Sequence, residues 1–171
     1  MRFYGFGNYY LSSLQQGLQA GHAAVDLHVK YNIHEQGHFD IAPCQNMYND
    51  WAENHKTMVL LNGGNSADLA DLYAFLYCEE NPYPFVKFHE DEVSLNGALT
   101  YVGMILPPKI YDTAARIRAC RDHSHVADKC EIHIRDVKSG VDGWSVTDII
   151  KDITPWEFAL MQRLNQYGLA K

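Results

Sequence analysis

The sequence contains no apolar run of about 18 residues, so a membrane-spanning helix is not expected anywhere in its 171 residues. Cysteine is sparse, and a disulfide scaffold of this size would be denser in it. The four cysteines are far apart and form no C-x-x-C pair: Cys44, Cys78, Cys120 and Cys130. The amino terminus also lacks the charged-then-apolar pattern of a targeting segment. We therefore expect free thiols and a cytoplasmic location.

Positive charge is scarce as well, with 14 Lys and Arg against 21 Asp and Glu and a net charge of −7. Broad binding to nucleic acid needs many cations to neutralise phosphates, so this class of function is disfavoured. Basic residues concentrate in the 109–138 segment, the one place where we expect a modest basic surface. A solvated helix face of mixed charge is the simpler interpretation of that segment.

The composition is otherwise that of a globular α/β protein, with 47% hydrophobic residues, 11 Tyr and 7 Phe. Alternating patterns predict an α/β three-layer sandwich, with helices on both faces of a mixed four-stranded or five-stranded sheet. Strands are predicted at residues 3–11, 57–61, 84–89 and 98–106, with a short fifth at 131–136. Helices are predicted at residues 13–30, 43–54, 69–76 and 111–121, and from residue 155 to a close at Gly168.

Two helix starts have capping-box spacing. In the first, Ser13 and Gln16 have this spacing, and Leu14, Leu18, Val25 and Val29 recur near helical period. Small residues on the same helix predict that it lies close to the sheet. In the last helix, Thr154 is the expected N-cap, followed by Pro155 and by Glu157 three residues on.

One motif matches a zinc peptidase. His34, Glu35 and His38 form H-E-x-x-H, which on a helix holds zinc through the two imidazoles while the glutamate activates a water. Asn32 and Gly37 disfavour a helix there, so a polar loop with incidental histidines is the preferred interpretation. We therefore expect no cofactor and no metal.

A glycine turn follows the second predicted strand, at Asn62, Gly63, Gly64 and Asn65. Glycines let a backbone approach a ligand, and free amides at a helix start attract anions. The turn is too short for a P-loop and lacks its lysine. The competing interpretation is a tight turn in which Asn65 or Ser66 caps the next helix.

A third group of residues predicts a cleft. Gln15, Gln19 and His22 have spacings of four and three, which place them on one face of the first helix. Residues 89–92 are four ionisable groups in a row, followed by a turn containing Asn96. Clustered carboxylates are expensive in a core and lie at a surface or in a site. We predict a ligand cleft between the helix and this turn. The alternative is an acidic loop beside a polar helix face that is exposed to solvent.

The six residues from Gln19 to Ala24, Q-A-G-H-A-A, are similar to the A-Q-x-x-H-A-A motif of the archaeal/eukaryotic-type (class II) peptidyl-tRNA hydrolases. Trp51 before a strand, the acidic turn, Gly97 and Thr100 also follow that family's order. The resemblance covers residues 3–108 and implies a hydrolase-like α/β core there. Residues 109–171 would be a mostly helical extension. The chain also resembles small proteins of tailed phages in its 61–69 and 94–100 stretches.

The resemblance implies roles for individual residues. Asp91 stands where the family has its catalytic aspartate and Ser94 where it has a hydroxyl, with His22 as an orienting or polarising group. Gln19 and Asn96 would donate to the developing oxyanion. The family's lysine-rich first turn and its arginine have no counterpart here, so the resemblance implies the architecture more strongly than the activity.

Three functions follow as hypotheses. The first is a peptidyl-tRNA hydrolase-like protein that binds a tRNA end or a nucleotide-type ligand. The second is a non-enzymatic phage protein that sequesters a nucleotide signal or blocks a host protein. The third is the zinc peptidase. The expected partners are thus a tRNA or a small nucleotide-type ligand, a host protein or a second copy of the chain as a homodimer, with no membrane. For a phage protein the expected location is the host cytoplasm.

Overall fold

The computed structural model describes residues 1–33, 42–123 and 152–170. The strands are β1 Arg2–Gly7, β2 Met58–Asn62, β3 Phe85–His89 and β4 Leu99–Leu106. The helices are α1 Ser13–His28, α2 Ala42–Asp50, α3 Ser66–Leu76, α4 Glu92–Leu95, α5 Pro108–His123 and α6 Pro155–Leu164. Single π-helical turns, Val29–Ile33 and Trp51–His55, follow α1 and α2. Among these residues, no helix has both the length and the apolar character needed to cross a bilayer.

The four strands form one mixed sheet in the order β2-β1-β4-β3. β1 runs parallel to β2 and antiparallel to β4, and β3 runs antiparallel to β4. The last residues of β1, β2 and β3 therefore lie at the same end of the sheet as the first residues of β4. We call this the carboxyl end. The mixed four-stranded sheet is confirmed, and the fifth strand predicted at residues 131–136 lies outside the described residues.

Alternation along β1 places helices on both faces of the sheet. Phe3 belongs to a buried cluster with Ala20 and Ala23 of α1. Phe6 points to the opposite face, because it lies an odd number of residues from Phe3. The space beside Gly63 is bounded there by Phe6 and by Leu69 of α3. The three-layer α/β sandwich is thus confirmed, with α1 on one face and α3 on the other.

The buried face of α1 consists of two alanines, two glutamines and one leucine: Ala20, Ala23, Gln16, Gln19 and Leu27. A Cβ added at Gly103 would lie 2.8 Å from the ring of Phe3 and 3.5 Å from the Cβ of Ala23, so the helix and the sheet are in close contact here. The apolar series that predicts this helix points away from the sheet. Leu18 and Val25 are 55% and 61% exposed. The helix prediction is confirmed, but its most apolar stripe is not its buried face.

Helix caps match the sequence at one site and differ by one residue at another. Thr154 caps α6 in a complete capping box with Glu157, as predicted. The α1 box uses Ser12 and Gln15 instead of Ser13 and Gln16. Ser12 has the extended backbone that an N-cap requires, whereas the residue after it is already helical. Gly168 does not close α6; its carbonyl accepts from Asn62 N at 2.9 Å.

The chain divides into two compact units, Met1–Pro107 with Tyr167–Lys171, and Pro108–Gln166. The carboxy-terminal residues join the first unit because Leu169 bridges Leu61 of β2. Tyr167 also places its ring 4.9 Å from that of Phe6, centroid to centroid. The first unit contains the whole sheet, and with it the sequence-predicted site residues that the structure describes.

In the second unit α5 and α6 are held by an apolar contact and by polar bonds. Glu157 is 4% exposed, and its carboxylate lies 3.3 Å from Lys109 Nζ. Asn165, which ends α6, donates from Nδ2 to the Ala114 carbonyl at 3.3 Å. The buried apolar side chains of these helices are Ile110, Ala114, Ile117, Leu160, Met161 and Leu164.

Candidate functional site

Hydrogen bonds connect several elements at the carboxyl end of the sheet. Asn8, directly after β1, donates from Nδ2 to Ser66 Oγ at 3.1 Å, and that hydroxyl donates to the Leu99 carbonyl at 2.9 Å. Tyr9 N donates to the Gly64 carbonyl at 2.9 Å. The end of β1, the start of α3 and the start of β4 are therefore held in a fixed relationship.

Gln19 connects α1 to the segment after β3. Its Nε2 donates to the Glu90 carboxylate, and its Oε1 accepts from Thr100 Oγ1 at 3.5 Å. Gln19 is 5% exposed and Thr100 is 2% exposed, whereas Glu90 is half-buried. A buried amide that is itself held by a hydroxyl thus orients a carboxylate that still reaches solvent.

The structure brings the first helix and the acidic turn together, through a different carboxylate from the one the sequence favours. Glu90 contacts Gln19, while Asp91 carries an exposed side chain. Glu90 occupies this position because its backbone N still pairs with the Ala98 carbonyl at 3.0 Å, which extends the β3–β4 pairing by one residue. The sequence pattern of four adjacent ionisable residues gave no signal of which one faces the helix.

His22 lies one turn after Gln19 on α1 and is exposed. Its ring centroid is 4.7 Å from that of Phe88 on β3, with the ring planes 58° apart. Asp26 lies one turn further along. Burial raises the pKa of the Asp26 carboxyl, and the charge of His22 opposes that rise. The exposed imidazole therefore packs against an aromatic ring, and a carboxyl group lies one helical turn further along.

Two other α1 glutamines differ from the sequence-based expectation. Gln15 is exposed and serves the capping box, where its Oε1 accepts from Ser12 N at 2.9 Å. Gln16 is 3% exposed and donates from Nε2 to the Asn8 carbonyl at 2.8 Å. A Cβ added at Gly7 would lie only 1.6 Å from Gln16 Oε1. The inward-facing amides are Gln16 and Gln19, and the glycine at the end of β1 is what admits the first of them.

Tyr101 on β4 is fully buried on the same face of the sheet. Its hydroxyl lies over Gly5, where an added Cβ would be 2.0 Å from Oη. Burial raises the pKa of the phenol well above its usual range. Neither Tyr101 Oη nor Gln16 Oε1 has a hydrogen-bond partner among the described residues. A buried polar atom without a partner in the protein is typically hydrogen-bonded to a water or to a polar group of a ligand.

The glycine turn after β2 uses its polar groups internally. Asn62 Oδ1 accepts from Gly64 N at 3.1 Å, and Gly64 has a φ of 85°, a conformation that favours glycine. Asn65 caps α3 by accepting from Ala67 N and Asp68 N at 2.7 and 3.2 Å. Gly63 N donates to the carbonyl of the last β1 residue at 2.8 Å. The α3 amides that an anion would use are thus already bonded to the cap, which supports the capping interpretation of this turn.

Asn96 and its neighbours form the end of the short helix α4. Asn96 has a φ of 51° and Gly97 a φ of 66°, and both backbone amides donate back to carbonyls of the preceding turn. The Asn96 side chain is exposed beside the site. Ser94 lies on α4, and its side chain is outside the part of the chain that the structure describes.

The carboxyl end is acidic. It carries Asp68, Glu90, Asp91 and Glu92. The basic residues of the first unit lie elsewhere in the described chain: Arg2 and Lys56 at the opposite end of the sheet, Lys30 beside Phe85, and Lys87 beside Tyr73. A phosphate would meet like charge at the carboxyl end, so the site suits the uncharged portion of a ligand.

Two exposed aromatic residues extend the site beyond β1. Tyr9 and Tyr10 are 48% and 75% exposed, and their ring centroids are 3.9 Å apart. Tyr10 N donates to Asn8 Oδ1 at 3.2 Å, which ties this pair to the end of the strand. An exposed pair of rings of this kind is suited to stacking with a planar group.

The zinc motif His34, Glu35 and His38 lies outside the described residues. Within the ranges that are described, no group of three or more His, Cys, Asp or Glu side chains is placed to hold a metal. Searched against models of protein families and against curated proteins, the chain matches none. The functional argument therefore depends on the geometry of the carboxyl end.

Proposed function

We propose that the protein is peptidyl-tRNA hydrolase-like and binds the nucleoside portion of a tRNA end or nucleotide-type ligand at the carboxyl end of the sheet. The observation that carries this proposal is the Gln19–Glu90 bond, in which a buried amide fixed by Thr100 holds a solvent-accessible carboxylate. A carboxylate held in this way is suited to accept hydrogen bonds from ribose hydroxyls.

Two further features support a nucleoside. The Tyr9–Tyr10 pair offers exposed rings for a base, whose stacking is worth about 1–3 kcal/mol. The acidic carboxyl end disfavours phosphate, so the recognised part is the neutral base and sugar. Resemblance to the hydrolase family points to the same ligand chemistry through the motif around His22.

For hydrolysis of an ester on this nucleoside, Glu90 takes the base role that the resemblance gives to Asp91. Its carboxylate would accept a proton from a water whose oxygen attacks the ester carbonyl carbon. Gln19 has a second amide hydrogen available to donate to the developing oxyanion. The leaving sugar oxygen then takes up a proton, which His22 at the solvent-open side could supply.

The experiment is release of peptide from peptidyl-tRNA by the wild-type chain and by Glu90→Gln, with Glu92→Gln as a matched carboxylate control on α4. We expect turnover that Glu90→Gln reduces by about 10²-fold or more and that Glu92→Gln leaves within about twofold. His22→Ala and Asp91→Asn complete the set. Absence of turnover in a correctly folded wild type removes the hydrolytic activity.

A second candidate, binding without turnover, is favoured by one observation. The first turn of α1, where the hydrolase family has lysines, carries no cation. Its Ser12 and Gln15 instead form the two hydrogen bonds of a capping box with each other. A phage protein that sequesters a nucleotide signal or blocks a host protein would need the pocket alone. Thermal shift with adenosine tests it, because a ligand that binds only the folded state raises Tm without turnover. Stabilisation of the wild type that Glu90→Gln abolishes, with no peptide release, selects this candidate.

A further inference from the structure

A second cluster of aromatic residues lies at the edge strand β3, on the α3 side of the sheet. Tyr73 of α3, Tyr77 directly after that helix and Phe85 of β3 have ring centroids 5.6 to 6.3 Å apart. Tyr77 is 67% exposed, although a large aromatic side chain of this size normally buries most of its surface. We call these three residues the aromatic platform.

Two lysines border the aromatic platform. Lys30 Nζ lies 4.1 Å from the Phe85 ring centroid, and Lys87 Nζ lies 4.7 Å from that of Tyr73. Lys30 Nζ donates one hydrogen to the Phe85 carbonyl at 2.9 Å, which holds the ammonium at the start of β3 and leaves two hydrogens available. A cation over an aromatic ring is attracted by the ring's negative face.

Among the residues that the structure describes, neither ammonium has a carboxylate partner. The ion pairs of the described residues involve the amino terminus, His55 and Lys109, and neither Lys30 nor Lys87 takes part in one. In a chain of net charge −7, two lysines of the first unit thus lie at one exposed aromatic surface, with no carboxylate partner in the described part of the chain. This surface is complementary to an anion that also has a flat apolar face.

We propose that the aromatic platform binds a free nucleoside monophosphate, with its base stacked on Tyr77 and its phosphate paired with the ammonium groups of Lys30 and Lys87. Exposed rings supply the stacking surface, which every base can use. The two ammonium groups supply charge for one phosphate. A longer nucleic acid would bring further phosphates close to the protein surface. Because the protein is acidic overall, these phosphates would be repelled.

This site is separate from the one proposed at the carboxyl end. Lys87 and Tyr73 lie on the α3 face of the sheet. Gln19 belongs to α1, on the other face, and bonds there to Glu90. The two sites also differ in charge, since the carboxyl end is acidic and the aromatic platform is bordered by two lysines that form no ion pair within the described ranges. A ligand with a phosphate therefore favours the aromatic platform, and loss of one site leaves the other intact.

The test is calorimetric titration of AMP into the wild type, Tyr77→Ala and Lys87→Gln at low salt. Each variant changes an exposed side chain, and thermal melts verify its fold. We expect each to weaken AMP binding by about tenfold or more. The matched control Lys56→Gln removes an exposed lysine at the opposite end of the sheet, and should change the affinity by less than about twofold.

Four further titrations decide the ligand: adenosine, inorganic phosphate and a single-stranded RNA into the wild type, and AMP into Glu90→Gln. Adenosine and inorganic phosphate should each bind at least about tenfold more weakly than AMP, because each lacks one half of the contacts. AMP should bind Glu90→Gln as it binds the wild type. Undetectable AMP binding, unchanged binding by Tyr77→Ala and Lys87→Gln, loss of AMP binding in Glu90→Gln alone, or tighter binding of a single-stranded RNA than of AMP would each overturn the inference. Loss in Glu90→Gln alone would leave the carboxyl-end proposal standing.

Discussion

Gln19 and Glu90 lie 71 positions apart in the sequence and form a hydrogen bond at the carboxyl end of the sheet. The glutamine is buried and the glutamate is half-buried, so the bond joins the first helix to the segment after the edge strand. Thr100 holds the other end of the same amide. The site thus depends on a buried polar network, in which removal of one partner leaves the others without theirs.

Gln19→Leu should therefore lower the free energy of unfolding by about 1–3 kcal/mol, since Thr100 and Glu90 both lose a partner. Urea denaturation measures the loss. The double variant with Glu90→Leu should cost less than the two single variants together, with a coupling energy of about 0.5–3 kcal/mol. Strict additivity would show that the bond contributes nothing to stability.

The two faces of α1 should respond differently to truncation. Leu27 is fully buried against the sheet, and Leu27→Ala should destabilise the protein by about 2–5 kcal/mol. Leu18 is 55% exposed, and Leu18→Ala should change the free energy of unfolding by less than about 0.5 kcal/mol. Chemical denaturation compares them. Equal losses at the two positions would contradict the orientation of the helix.

Removal of a buried tyrosine hydroxyl should affect stability according to whether that hydroxyl has a hydrogen-bond partner. Tyr101 Oη has no partner among the described residues, so Tyr101→Phe should leave stability at pH 7 unchanged or raise it. Tyr31 Oη accepts from Phe85 N at 3.0 Å, so Tyr31→Phe should cost about 1 kcal/mol. Urea midpoints at pH 7 test the pair, and a large loss in Tyr101→Phe would contradict the assignment.

The same two phenols make the protein sensitive to alkali. Burial raises the pKa of both Tyr31 and Tyr101 in the folded state, whereas an unfolded tyrosine ionises near pH 10. Above that pH the unfolded chain has released protons that the folded chain still binds, so stability falls. The decline measured above pH 10 should be shallower in Tyr101→Phe than in the wild type.

Lys30 should be unusually reactive as an amine. Burial lowers the pKa of Lys30 to about 8, so about half of it is unprotonated at that pH. We expect an amine-acylating reagent at pH 8 to modify Lys30 faster in the folded protein than in the urea-unfolded chain, as followed by peptide mass mapping. As pH rises above 8, the folded chain releases this proton before the unfolded chain does, and the contribution of Lys30 to stability increases. Slower modification in the folded state would contradict the shift.

The cap of α6 should matter to stability without affecting ligand binding. Thr154 Oγ1 accepts from Glu157 N at 3.1 Å, and Thr154→Ala removes that acceptor. The expected loss of stability is about 1 kcal/mol. Thr154→Ser should lose much less, because its hydroxyl can still accept the hydrogen bond. Thermal denaturation compares the two variants. Equal stabilities of the alanine and serine forms would show that the hydroxyl does not contribute.

The local elements were largely predictable because their signals are local. Capping residues such as Thr154 act within one turn, and the spacing of Leu69, Leu72 and Leu76 identifies a helix that indeed packs against the sheet. The glycine turn after β2 likewise ends a strand and caps a helix through Asn65. Prediction at this level needs only neighbouring residues.

The orientation of α1 was not predictable in the same way. Leu14, Leu18 and Val25 recur at helical period, yet the sheet accepts Ala20, Ala23 and two glutamines instead. The reason lies on other strands. Glycines on β1 and β4 bring the helix close, so that alanines and flat amide side chains fit there, together with Leu27 near the end of the helix.

The succession of strands and helices, and with it the α/β class, is encoded locally, because periodicity and caps depend on residues a few positions apart. The contact of Gln19 with Glu90 instead of Asp91 arises only in the folded chain. The position of Lys30 and Lys87 beside the same aromatic surface also arises only there. The physical reason is that these pairs are made by strand register and helix rotation, which depend on packing between segments distant in the chain.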